Sequence, residues 1–259
     1  MNDDQLRDTL AFAVDVAWRA GRATLAHFQT GVAAELKEDL SPVTEADRTA
    51  ETVARHMIGR RFPGDGLLGE EFGEVRPGAG RRWVIDPIDG TRAFVRGVPL
   101  YGVMLALEVD AQPVLGVVHL PALQETVHAG RGLGCWWNGR RARVSDVDRF
   151  ENALVCTTDV PNIVRSGRGA GWDRIAERGC LTRTWGDCYG YVLVATGRAE
   201  AMLDPILSVW DAAALPPIIE EAGGVITDWD GRASYRNGHL VATNAKLADG
   251  LRALLREAA

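Results

Sequence analysis

The chain has 259 residues, 46% of them hydrophobic and 25% charged, with a formal net charge of −6. That balance fits a soluble globular chain with a sizeable core, built as one large domain or two smaller ones. It argues against a membrane protein, since apolar runs such as Val192-Leu193-Val194-Ala195 are far too short to span a bilayer. It also argues against a nucleic-acid partner, since there is no basic run to engage a phosphate backbone.

Residues 4–28 place Leu6, Leu10, Ala13, Val14, Ala17, Ala20, Leu25 and Phe28 at helical spacing, with Gly31 as the stop signal. Their acidic start and the arginines Arg19 and Arg22 on a helical pattern do not read as a secretory signal. A second helix is expected over 46–61, ending before Pro63-Gly64-Asp65-Gly66. Between 83 and 144 the pattern turns to strands, at Tyr101–Val109, Pro113–Leu120 and Gln124–Ala129, with turns at Asp110-Ala111 and Pro121-Ala122. Trp136 to Arg141 reads as a hairpin around Asn138-Gly139. Beyond about 146, strands and helices alternate as in an α/β layer: strand 152–157, helix 170–179, strand 180–184, helix 187–196, strand 199–203, helix 211–222 and strand 224–228. Val160 to Gly171, with Pro161, Ser166 and three glycines, reads as a mobile loop.

Three features carry less than they first promise. Gly130-Arg131-Gly132-Leu133-Gly134 leads into a hairpin rather than a helix, so its glycines read as turn residues and not as a nucleotide loop. The cysteines Cys135, Cys156, Cys180 and Cys188 lack metal or disulfide spacing and read as free thiols of a reducing cytoplasm. The histidines His27, His56, His119, His128 and His239 share no ligand spacing and read as structural.

The informative stretch is Trp83-Val84-Ile85-Asp86-Pro87-Ile88-Asp89-Gly90-Thr91-Arg92-Ala93-Phe94. An apolar strand end delivers two carboxylates. Pro87 keeps Asp86 out of the α region, so Asp86 points forward from the strand tip. Gly90 permits a tight turn, and Thr91–Phe94 can open a helix whose free N–H groups face the same spot. A cation site and an oxyanion site then lie side by side, and carboxylates gather hard cations such as Mg²⁺.

The stretch also resembles the metal-binding signature of the inositol monophosphatase superfamily of Mg²⁺-dependent phosphomonoesterases. The resemblance extends through Lys37, Ser41-Pro42-Val43-Thr44-Glu45-Ala46-Asp47, Leu68-Gly69-Glu70-Glu71, Trp210-Asp211-Ala212-Ala213-Ala214 and Glu220-Glu221-Ala222-Gly223-Gly224. It implies an α/β (α+β) fold, the five-layer αβαβα sandwich, with an α+β half over 1–145, an α/β half over 146–259 and the metals between them. It further implies that Glu70, Asp86 and the Ile88 carbonyl hold one Mg²⁺, that Asp86, Asp89 and Asp211 hold another, and that two or three ions act together. Glu70 would orient the attacking water, and Thr91 with Asp47 would take its proton. The amides of Gly90 and Thr91 would bind phosphate, with Arg92 beside them. Glu71 reads as a supporting or solvated carboxylate, and Lys37 as either a surface lysine or a cation on the phosphate side. A homodimer is implied by the resemblance alone.

Substrate choice is expected where the chain departs from the inositol-cleaving pattern. Arg92-Ala93-Phe94 replaces an Asn before the Phe. Trp185-Gly186-Asp187-Cys188-Tyr189-Gly190-Tyr191, where small residues are usual, is similar to the histidinol-phosphate phosphatase branch. An anionic Asp187 suits the ammonium and imidazole of L-histidinol phosphate, although Gly186-Asp187 is also a reasonable helix cap. The expected activity is hydrolysis of L-histidinol phosphate in histidine biosynthesis. The alternative is an inositol-1-monophosphatase or a broad sugar-phosphate phosphatase. The third class is a non-catalytic metal or phosphate sensor, which the presence of Glu70, Asp47 and Thr91 disfavours.

Overall fold

The periodic stripe over residues 4–28 forms α1 (Asp3–Leu25), which Asn2 and Gln5 open with a reciprocal capping box. Leu6, Leu10, Ala13, Val16, Ala17 and Ala20 make its buried face. In this computed structural model, which describes residues 1–31, 33–36 and 42–256, α2 (Glu45–Arg61) follows a short ribbon of β1 (Glu35–Leu36) and β2 (Pro42–Val43). Lys37 and Ser41 lie outside the described residues.

An eight-stranded sheet comes next, from β3 (Gly66–Gly69), β4 (Gly73–Val75), β5 (Arg81–Asp89), β6 (Gly102–Val109), β7 (Gln112–Leu120), β8 (Glu125–Gly130), β9 (Gly134–Trp137) and β10 (Arg140–Arg141). Its order is β10-β9-β8-β7-β6-β5-β3-β4, antiparallel except for the β3–β5 pair. The Asn-Gly hairpin forms as its residues dictate: Asn138 and Gly139 both take positive φ, 46° and 76°, as a type I′ turn demands. The five-residue α3 (Thr91–Val95) follows β5.

The second sheet has five strands, β11 (Leu154–Cys156), β12 (Leu181–Arg183), β13 (Ala201–Asp204), β14 (Gly224–Thr227) and β15 (Leu240–Asn244), in the order β12-β11-β13-β15-β14. Its helices are α4 (Val160–Arg165), α5 (Gly169–Glu177), α6 (Asp187–Ala195), α7 (Val209–Ala212), α8 (Leu215–Glu221) and α9 (Ala248–Arg256).

Strand alternation sorts the core into layers. One face of the large sheet sends Trp83, Ile85, Val103, Leu105 and Val117 into the cluster packed on α1 and α2. The other face sends Val84, Met104, Ala106, Val118 and Val127 toward α6 and α8, whose far side meets Met202, Ile226 and Ala242 of the small sheet. Val155, Leu203 and Val241 then face Trp172, Ile175, Leu251 and Leu254 of α5 and α9. Helices, sheet, helices, sheet, helices: the expected five-layer αβαβα sandwich is present. Among the described residues no helix is long and apolar enough to cross a membrane, and the four cysteines are free thiols.

Two expectations need correction. Val160 to Gly171, read as a mobile loop, holds α4 and the start of α5. Pro161 lies in the first turn of α4, where its missing N–H costs nothing, so it opens a helix there. The helix expected over 211–222 is two helices, α7 and α8, interrupted at Ala213-Ala214 just before Pro216 and Pro217. Beyond the last expected strand, the chain also forms β15 and α9.

The α7–α8 break is seated on β7. A Cβ built on Gly116 would lie 2.0 Å from the Ala214 carbonyl oxygen, so the strand admits the helical backbone only because position 116 has no side chain. Gly116→Ala is therefore expected to cost about 1–3 kcal/mol by overpacking. At about 2–4 °C per kcal/mol for a chain of this size, a thermal melt followed by circular dichroism should show the loss.

Candidate active site

The site gathers where several element ends converge. β5 delivers Asp86 and Asp89, and its register against β6 slips between them: Asp86 pairs with Met104, whereas Asp89 pairs with Gly102. The bulge lets two acids three residues apart address one region. Gly90 then takes φ +88°, the left-handed conformation that glycine tolerates, and caps α3. A Cβ there would come within 2.9 Å of the Leu100 carbonyl oxygen. Across the parallel β3–β5 pair, Gly69 stands opposite Ile85, so Glu70 and Asp86 leave neighbouring strands side by side. Asp211 arrives on α7, where Ser208 donates its backbone N–H to the Asp211 carboxylate at 2.8 Å.

Carboxylate oxygens of Asp86, Asp89 and Asp211 lie within 4.8 Å of one another. Asp86 is buried, and the other two are half-buried. Burial pushes the Asp86 carboxyl well above the usual carboxylate range, and the charges of Glu70, Asp89 and Asp211 push it further. Asp89 is raised likewise, by burial first and then by Asp187 and Asp211, against the pull of its bond from the Cys188 amide. Such a cluster is disfavoured without a counter-charge. All its donors are oxygens, the set that a hard divalent cation such as Mg²⁺ takes. The residues fit the ion.

The structure brings Asp47 and Thr91 together. Asp47 sits at the third position of α2, buried, accepting from the Thr44 backbone N–H at 2.8 Å and the Thr44 hydroxyl at 2.7 Å. Its other oxygen is 3.4 Å from Thr91 Oγ1, which donates to the Ile88 carbonyl at 2.9 Å. The Ile88 carbonyl, implied above as a metal ligand, is thus also tied to Thr91.

Asp187 reaches the same cleft. It is the first residue of α6, yet Gly186 is the cap residue and no side-chain cap bond forms, so the capping alternative does not describe it. Its Oδ2 lies 3.1 Å from where a side chain at Gly90 would begin. Burial and then the Asp211 charge raise its carboxyl to about 6, and the Arg92 charge acts the other way.

Residues 5–259 match the inositol monophosphatase family. The chain belongs to that family. Members of the inositol monophosphatase family generally use Mg²⁺. The chain is 46% identical to the histidinol-phosphatase of Chlorobaculum parvum, covering 93% of this chain and 94% of that one. It is 40% identical to the histidinol-phosphatase of Mycobacterium tuberculosis (93% and 95% covered). An inositol-1-monophosphatase of Mesorhizobium japonicum is 34% identical (94% and 93% covered). Among solved structures, the extragenic suppressor protein suhB of Bartonella henselae superposes with a TM-score of 0.91 at 28% identity, covering 97% of this chain and all 100% of that one. An inositol monophosphatase from Zymomonas mobilis gives 0.86 at 34% identity (97% and 98% covered).

Within this family member, one supporting residue escaped the sequence reading. Glu51, fully buried on α2, accepts the Glu71 amide at 2.7 Å and the Phe72 amide at 3.2 Å, and pairs with Arg55 at 2.6 Å. It therefore ties down the turn that carries Glu70. Gly69 makes room for it, since a Cβ there would lie 2.0 Å from Glu51 Oε1. The only sequence signal was an acid four residues before an arginine on a helix, which looks like a solvent-exposed pair. Glu221 has a comparable structural role, accepting the amides of Gly132 and Gly134 at 2.7 Å each. Gly132 lies in the turn and Gly134 opens β9, both with positive φ.

The crowded acids predict an unusual stability pattern. Without a divalent cation, Asp86→Asn should melt no lower than the parent, because it relieves repulsion while its amide oxygen can still accept the Ile88 N–H, 3.1 Å from Asp86 Oδ1. Mg²⁺ should raise the melting temperature of the parent and leave that of the variant nearly unchanged. Thermal melts in EDTA and in Mg²⁺ check both halves. A variant melting well below the parent in EDTA would contradict the like-charge argument.

Proposed function

We propose that this chain is a Mg²⁺-dependent phosphomonoesterase that hydrolyses L-histidinol phosphate to L-histidinol and phosphate. The observation that carries the substrate choice is the Asp187 carboxylate at the edge of the Gly90–Thr91 turn, where a bound phosphate would leave its organic part. Histidinol phosphate presents an ammonium and a titratable imidazole to such a group. Inositol presents only hydroxyls. The full-length likeness to two histidinol-phosphatases supports the same choice.

In this reading Glu70, Asp86 and the Ile88 carbonyl hold one cation, Asp86, Asp89 and Asp211 hold another, and two or three ions are bound during turnover. The cations supply positive charge for the phosphate and lower the pKa of water near it. The remaining chemistry belongs to this chain's residues. Glu70, braced by the turn on Glu51, orients the attacking water. Thr91 relays its proton to Asp47, which Thr44 holds by two bonds. The water oxygen bonds to phosphorus as the P–O bond to histidinol breaks, and the leaving alkoxide takes up a proton. The amides of Gly90 and Thr91, with Arg92, bind the phosphate oxygens.

The chain acts as two halves, 1–145 and 146–259, with the cleft between them. A cytoplasmic homodimer completes the proposal, supported by family likeness and by the free thiols.

Phosphate release from a panel of histidinol phosphate, inositol 1-phosphate, sugar phosphates and p-nitrophenyl phosphate tests the assignment. Faster turnover of inositol 1-phosphate than of histidinol phosphate would replace this reading with the inositol one. Asp187→Asn should remove a charge-assisted bond contributing about 1.5–3 kcal/mol, hence about a 10- to 150-fold loss in kcat/KM on histidinol phosphate. p-Nitrophenyl phosphate, which lacks both cationic groups, should be cleaved about as well as before.

A further inference from the structure

Asp187 holds an expensive backbone conformation. Its φ is +51°, in the left-handed region that residues with a Cβ seldom adopt. That conformation persists only where the surroundings impose it. Two contacts from the loop after β11 do so. The Asp187 backbone N–H donates to Thr158 Oγ1 at 2.8 Å. Gly186 packs directly on Thr158: a Cβ there would lie 2.2 Å from the Thr158 Cα, so only glycine lets the two backbones come this close.

Thr158 is itself fixed. Its backbone N–H donates at 3.2 Å to Oδ1 of Asp204, a buried acid at the end of β13. β11 and β13 run parallel, with Cys156 opposite Met202, which brings the residues beyond their ends together. A chain of two hydrogen bonds therefore runs from Asp204 through Thr158 to the backbone of Asp187. None of these bonds uses the Asp187 carboxylate, which stays available to the cleft.

We propose that Thr158, anchored by Asp204, is the positioning residue that holds Asp187 in its left-handed conformation and so aims its carboxylate at the cationic part of the substrate. The proposal rests on the histidinol-phosphate reading for its functional consequence, but the clamp is a geometric claim of its own.

The test compares Thr158→Val, which removes the acceptor at nearly constant volume, with Thr158→Ser, which keeps it. Thr158→Ala removes the hydroxyl without adding a methyl group and serves if the valine variant fails to fold. Thr158→Val should lower kcat/KM on histidinol phosphate by about 3- to 10-fold, the effect of one neutral hydrogen bond, and leave p-nitrophenyl phosphate unchanged. Thr158→Ser should restore the parent ratio. Thr158→Val combined with Asp187→Asn should be no worse than Asp187→Asn alone. Equal losses on both esters, an unchanged ratio, or additive losses in the double variant would overturn the proposal. If Asp187→Asn itself leaves the ratio unchanged, the substrate reading falls. The clamp is then judged by a crystal structure of Thr158→Val, in which a left-handed residue 187 with its carboxylate still beside Gly90 overturns it.

Discussion

Like charge at close range is the constraint on which the rest of this structure depends. Asp86, Asp89 and Asp211 bring carboxylate oxygens within 4.8 Å of one another, with Glu70 beside Asp86. At such separations two charges repel by about 1 kcal/mol in water and by several times that near a protein surface. A fold that keeps these acids together must hold each one independently of its neighbours, and it does so with backbone amides. Ile88 donates to Asp86, Cys188 to Asp89, Ser208 to Asp211 and Thr44 to Asp47. Thr44, Cys188 and Ser208 stand at helix starts, whose first N–H groups have no partner within their own helix, and Ile88 lies in the β5 bulge between Asp86 and Asp89. The acids therefore satisfy the backbone that positions them, and a cation meets a site already arranged.

The layer order explains why those amides are available there. The central helical layer packs against both sheets, so α6 and α7 begin beside the tip of β5. Cys188, in the first turn of α6, reaches Asp89 on the large sheet, while Asp211 opens α7. The approach depends on absent side chains at Gly116, Gly69 and Gly186 as much as on present ones. On the opposite side of the large sheet, α2 supplies Asp47 from its first turn and Glu51 from its second, so one helix both carries Asp47 and supports the turn bearing Glu70.

What could be read from the sequence was what local geometry determines. A strand ending in Asp86-Pro87-Ile88-Asp89-Gly90-Thr91 is almost bound to turn where it does, because proline and glycine restrict and relax the backbone at fixed positions. The stripe of α1 and the Asn138-Gly139 hairpin are legible for the same reason. The misses are tertiary. Pro161 and its neighbouring glycines have the composition of a loop, yet Ile163 is buried against the small sheet and draws the segment into α4. The break in the 211–222 helix falls just before Pro216 and Pro217, and the backbone it exposes seats against Gly116 of β7, far away in sequence. Glu51 looks like a surface partner of Arg55 until the β3–β4 turn is placed over it. Thr158 is a lone threonine at a strand end, with no pattern to single it out.

Asp187 raises a last physical question, because it is a fifth acid beside the cluster of Glu70, Asp86, Asp89 and Asp211. Its carboxyl is raised by burial and by Asp211, the same influences that act on the metal-site acids. Two features separate it from them. Arg92, on α3, counters the neighbouring negative charge and favours an ionised Asp187. The left-handed backbone at residue 187 directs its side chain against Gly90, while the next residue, Cys188, turns its amide back to Asp89. Consecutive residues of one helix start thus face different ways: the Cys188 amide steadies Asp89, and the Asp187 carboxylate lies against Gly90. A helix begun in ordinary right-handed geometry would point residue 187 elsewhere. The strain at this position is the cost of sending the side chain of Asp187 to Gly90 while the next amide turns to Asp89.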